Sequence, residues 1–138
     1  MKPFRHLMFT VAICCVSVSA LAQNVAVIGH PSLRKLDLVT IQKIFTGRVI
    51  EVNGIAIVAV NQVPDSLVRS QFLAAYLSQD EEKYQAYWTV RKFIGKGSPP
   101  KDLAASSEVI DFVQSHPGAI GYILDSDVKQ NINVLSRK

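Results

Sequence analysis

Hydrophobic residues change their spacing several times along this chain, and each change marks an element. The first apolar run, Leu7 to Val18, follows Lys2 and Arg5 and leads into Ala20-Leu21-Ala22. A short apolar stretch between a basic start and small-x-small residues predicts a cleaved secretory signal over residues 1–22. It is too short for a bilayer span, which needs roughly 20 apolar residues. No later run is longer, so residues 23–138 are expected to form one soluble exported domain, periplasmic or secreted, with no membrane span after cleavage.

Within that domain, Asn24 to Ile28 predicts a strand closed by Gly29-His30-Pro31. Asp37 then caps a run with Leu38, Ile41, Ile44 and Phe45 at helical spacing, and Gly47 ends it. Val49 to Val52 and Ile55 to Val60 flank Asn53-Gly54, a strong hairpin signal. The unalternating IAIVAV segment predicts a strand covered on both faces, hence a sheet with helices on either side. A helix follows from Asp65 to about Ser78. Another is capped by Asp80, with Glu81 and Glu82 in its first turn, Arg91 and Lys92 in its last, and an inner face of Tyr84, Tyr87 and Trp88. Gly95 to Pro100 is a loop by composition and lacks the order of a phosphate loop. Ser106 or Ser107 caps a helix with Val109, Phe112 and Val113 on one face. Pro117-Gly118 turns the chain into the strand Ala119 to Leu124, and Ile132 to Leu135 is a candidate final strand.

Composition narrows the function. The two cysteines, Cys14 and Cys15, lie in the expected signal, which leaves the domain without disulfides, thiol nucleophiles or thiolate metal sites. Fifteen basic residues face eleven acidic ones over the whole chain. Without Lys2 and Arg5 thirteen remain, a formal charge of +2 in place of +4. The cations are scattered and no basic stripe interleaves with aromatics, so nucleic acid is not an expected partner.

Three segments, "IQKIFTGR" within Leu38 to Arg48, Val58 to Phe72, and "VQSHPGAIGYI" from Val113 to Ile123, resemble the phosphate-binding proteins of ABC transporters, in the same order and at comparable spacing. Those proteins belong to the type II periplasmic-binding-protein fold and close two α/β lobes on a ligand. The resemblance covers nearly all of residues 23–138 but only the second lobe, which implies an α/β fold class: a single lobe with a mixed sheet flanked by helices. Gly118 and Gly121 read as scaffold, a tight turn and a close backbone approach.

The family holds phosphate with an Arg-Ser-Asp-Gly-Ser-Gly-Thr run at a strand-to-helix turn. Laid without gaps on this chain, its Arg falls on Gln62, its Asp on Pro64, and its last four residues on Asp65, Ser66, Leu67 and Val68, so that Ser66 alone matches. The backbone amides of Leu67 and Val68 suit an anion through helix geometry, and Arg69 adds a charged donor one turn on. The expected ligand-binding set is therefore Gln62, Asp65, Ser66, Leu67, Val68 and Arg69. Against it, Asp65 is a good N-cap that takes the same amides from within, and Asp65 with Arg69 is an i, i+4 pair.

No catalytic constellation stands out. His30 and His116 each adjoin proline in separate turns, outside any metal-ligand spacing. Asp125 and Asp127 read as an ordinary turn. Ser66 has no base beside it. The expectation is a non-enzyme with no cofactor: a solute-binding module for phosphate or a similar small oxyanion, linked to transport or sensing. The alternative is a ligand-free lobe that contacts another envelope protein or a copy of itself.

Overall fold

The computed structural model describes residues 23–138, and the expected signal over residues 1–22 lies outside them. Strand β1 (Val25–Gly29) is followed by helix α1 (Leu38–Phe45). A two-stranded hairpin, β2 (Glu51–Val52) and β3 (Ile55–Ala56), leads into β4 (Val58–Gln62). Helix α2 (Leu67–Phe72) runs on as a π-helical turn over Leu73–Leu77, and α3 (Glu81–Phe93) follows. The chain then forms β5 (Lys101–Leu103), α4 (Ser106–Ser115), β6 (Ala119–Leu124) and β7 (Val134–Arg137).

Five strands form one mixed sheet in the order β5-β4-β6-β1-β7. β4 is parallel to both β5 and β6, whereas β1 is antiparallel to β6 and β7. Both faces are covered, as the unalternating strands require. Val25, Val27, Ile120 and Tyr122 meet α1, α2 and α3 on one face, around Phe45, Phe72 and Trp88. On the other, Ala26, Ile28, Val60 and Ile123 meet Val109 and Val113 of α4. Gly121 allows that second contact, since a Cβ there would lie 2.6 Å from Val109 Cγ1.

Three expectations change. Ile55 to Val60 is not one strand: Ile57 donates to Ile50 O and ends the hairpin, and β4 then joins the main sheet. Asn53 and Gly54 both take positive φ, the geometry that a two-residue hairpin turn imposes. β5 was hidden because three residues after a Gly/Pro loop carry no period, yet they pair in parallel with β4. Helix α4 has no serine cap: Ala105 occupies that position, and Glu108 reaches back to accept from the Ala104 amide at 2.9 Å. No helix among the described residues is long and apolar enough to cross a membrane.

Candidate functional site

β4 ends at Gln62, whose side chain is buried and used as a strut. Its Nε2 donates to Tyr122 O at 3.2 Å and to Ser106 Oγ at 3.1 Å, tying the end of β4 to the start of α4. The Gln62 backbone amide donates to Tyr122 Oη. That hydroxyl donates to Asn61 Oδ1, Asn61 Nδ2 donates to Tyr84 Oη, and Tyr84 Oη donates to Phe45 O. Buried polar groups are tolerated when they pair in this way. Burial pushes the Tyr122 and Tyr84 hydroxyls above their ordinary pKa.

The turn after Gln62 moves the helix cap by one residue. Asp65 sits at φ 70°, in the left-handed region, so Ser66 becomes the last extended residue before α2 and is its N-cap. Ser66 Oγ accepts from the Arg69 amide at 3.3 Å. Asp65 is therefore not the cap, and it forms no ion pair with Arg69.

Arg69 turns inward instead. Its Nε and Nη2 grip both carboxylate oxygens of Glu81 at 2.7 Å each, and Nη1 donates to Asp102 Oδ1 and to Gln62 O at 2.8 Å each. The guanidinium lies 5.5 Å from the Tyr84 ring centroid, and the residue is only 5% exposed. Burial opposes its charge, but the bonds and charge of Glu81, with Asp102, outweigh that and hold the pKa above the usual arginine value. Such a bidentate pair leaves Arg69 little to offer a ligand.

The amides of Leu67 and Val68 have no partner among the described residues, and the exposed Leu67 places this helix start at the surface. The start of α4 is similar: with no side-chain cap, the Ser106 and Ser107 amides are free among the described residues. Ser66 and Ser106 each accept an internal bond at Oγ, which leaves each O–H available as a donor. β4 and β5 are adjacent and parallel, but α2 leaves toward one face of the sheet and α4 packs on the other. Their carboxyl ends thus flank a topological switch point, the usual place for a ligand in an open α/β sheet.

Of the expected set, Gln62, Ser66, Leu67 and Val68 lie at the crevice that such a switch point defines, with Asp65 in the turn after β4 and Arg69 buried against Gln62 O. Ser106 and Ser107 join them, a proximity that only the β4–β5 pairing reveals. Beside the crevice, a cavity of about 270 Å³ is lined by Arg69, Tyr84, Trp88, Lys92, Pro64 and Pro99. Among the described residues no cluster of three or more His, Cys, Asp or Glu is placed to hold a metal.

No family model and no curated protein matches this sequence. Solved structures do match its fold. An ABC-type phosphate transport receptor from Vibrio cholerae is similar over 83% of this chain and 47% of its own, with 13% identity and a TM-score of 0.58. A Clostridium perfringens structure with bound phosphate, described as a phosphate ABC transporter substrate-binding protein, is similar over 83% and 46%, with 23% identity and a TM-score of 0.63. The chain spans about half the length of each, and its fold is that of one lobe of such a protein.

Proposed function

We propose that this chain is an exported, periplasmic solute-binding lobe that takes phosphate or a similar small oxyanion at the carboxyl ends of β4 and β5, in the service of a transporter or sensor. The observation that carries this is the pair of hydroxyls, Ser66 and Ser106, each with its acceptor side engaged and its proton free, at two adjacent helix starts. Hydroxyls and backbone amides there bind an anion without a cation. Arg69 has a positioning role: through Gln62 O it braces the strand end that carries the crevice. The phosphate bound in the Clostridium structure supports the ligand class. The role is binding, not catalysis.

The test is a phosphate titration of the isotopically labelled domain followed by amide resonances. Leu67, Val68, Ser106 and Ser107 should shift together and saturate. Shifts scattered over surface lysines, or none, would contradict the proposal.

Charge favours a second reading. Glu81 and Asp102 together overcompensate Arg69, and Asp65 and Glu108 add two more carboxylates near the two helix starts. A lobe with that balance suits a protein contact in place of a ligand, and failure of the titration would favour it.

A further inference from the structure

The last turn of α3 leaves three large apolar side chains in water. Val90, Phe93 and Ile94 stand at i, i+3 and i+4, so they form one patch on the helix surface. Phe93 is 89% exposed, Val90 60% and Ile94 55%. Elsewhere in the domain aromatic side chains such as Phe45, Phe72 and Tyr122 are fully buried. A phenylalanine almost wholly in solvent beside two further apolar residues is a feature that a soluble lobe gains nothing from by itself.

The charge along this stretch of chain is one-sided as far as Asp102, whose carboxylate is paired with Arg69. From Val90 to Lys101 the sequence reads VRKFIGKGSPPK, with four cations and no acidic residue. Arg91 is partly spent, donating to Gly47 O and Lys96 O. Lys92, Lys96 and Lys101 are exposed and make no ion pair among the described residues. Gly95 and Gly97, both at positive φ, fold the chain back, and the Lys96 amide donates to Arg91 O, which sets Lys96 beside the helix end. Ile50, 76% exposed, shares a shallow groove with Pro99, Pro100 and Lys101 and extends the apolar surface past the loop.

We infer that this tip, the end of α3 with the Gly95–Lys101 loop, docks on an anionic lipid bilayer, with Phe93 and Ile94 entering the headgroup boundary and Lys92, Lys96 and Lys101 lying against acidic headgroups. Apolar residues that reach only to the interface, ringed by lysines with apolar stems, are the pattern of reversible surface binding. The crevice at β4 and β5 is built from other residues, so docking and oxyanion binding are separable.

The test is sedimentation of residues 23–138, the whole described fold, with vesicles of phosphatidylcholine alone and with about 30% phosphatidylglycerol, at low and high salt. The domain should pellet only with the anionic vesicles and be released by high salt, because the lysine contribution is screened. Phe93→Ser should lower the partition coefficient about tenfold, in line with removal of one buried aromatic from the boundary. Lys92→Gln with Lys96→Gln should lower it about thirtyfold, and Val39→Ser, an exposed apolar residue on α1 away from both the tip and the crevice, should leave it unchanged. All four positions are at the surface, so thermal melts should show each variant folded. No pelleting, equal pelleting with neutral vesicles, or indifference to Phe93→Ser would overturn the inference. So would self-association in lipid-free sedimentation that Phe93→Ser abolishes, which would make the patch a contact between copies of the chain.

Discussion

Glu81 holds Arg69 at two nitrogens, 2.7 Å each, across the gap between the start of α3 and the first turn of α2. The same guanidinium reaches Asp102 of β5 and the carbonyl of Gln62, so one side chain fastens two helices to two strands beside the crevice. An arginine that looks, in sequence, like a ligand donor is a structural clamp.

Arg69→Ala should therefore damage stability before any binding. It leaves Gln62 O and two carboxylates without their donor. Loss of a buried pair costs about 3 to 5 kcal/mol, and the partial exposure of Glu81 and Asp102 brings the expectation to about 2 to 4 kcal/mol. Urea unfolding of the variant checks this, and a loss under about 0.5 kcal/mol, the size of a surface ion pair, would show the clamp to be ornamental.

Alkali should destabilise the domain. Burial holds the hydroxyls of Tyr122, Tyr84 and Tyr76 above their ordinary pKa near 10.0. The unfolded chain releases those protons near pH 10 while the folded one keeps them, so it binds fewer protons above that pH and stability falls as pH rises. The contribution is fully present below pH 10 and lost as the folded values are passed. Urea midpoints should be flat from pH 7 to 9 and drop by pH 11, with the tyrosinate absorbance of Tyr76, Tyr84 and Tyr122 rising only on unfolding. Ionisation of Tyr76, Tyr84 and Tyr122 near pH 10 in the folded protein would contradict this.

Two glycines at similar φ should respond differently. Gly54 sits at φ 79° with open space around it, whereas Gly118 sits at φ 76° with a Cβ direction blocked by the Ala56 carbonyl oxygen. Gly54→Ala should cost about 1 kcal/mol for its backbone conformation alone. Gly118→Ala must also displace β3 and should cost more than about 2 kcal/mol. Equal thermal midpoints for the two variants would show that the Gly118 contact relaxes freely.

Much of this fold was legible because its signals are local. Asp37 and Asp80 cap helices as their positions suggest, Asn53-Gly54 makes its turn, and the apolar faces of α1, α3 and α4 are buried. The site was less legible. Whether Asp65 or Ser66 caps α2 depends on one backbone angle that either residue tolerates. The partners of Arg69 lie 12 and 33 residues away, and nothing in the spacing favours them over Asp65 at i−4. Ser106 reaches the crevice only because the short, patternless β5 pairs with β4.

Binding of an oxyanion by neutral donors between Ser66 and Ser106 is tested most directly by thermal melts of residues 23–138 in phosphate, sulfate and chloride at matched ionic strength, for the native sequence and for Ser66→Ala with Ser106→Ala. At ten times a millimolar Kd, a ligand that binds only the folded state adds about 1.4 kcal/mol, a rise of about 5 °C for a domain of this size. Phosphate should raise the native midpoint by about that amount over chloride and leave the double variant unmoved. Equal midpoints in phosphate and chloride, or the same phosphate-dependent rise in the double variant, would contradict oxyanion binding at this crevice.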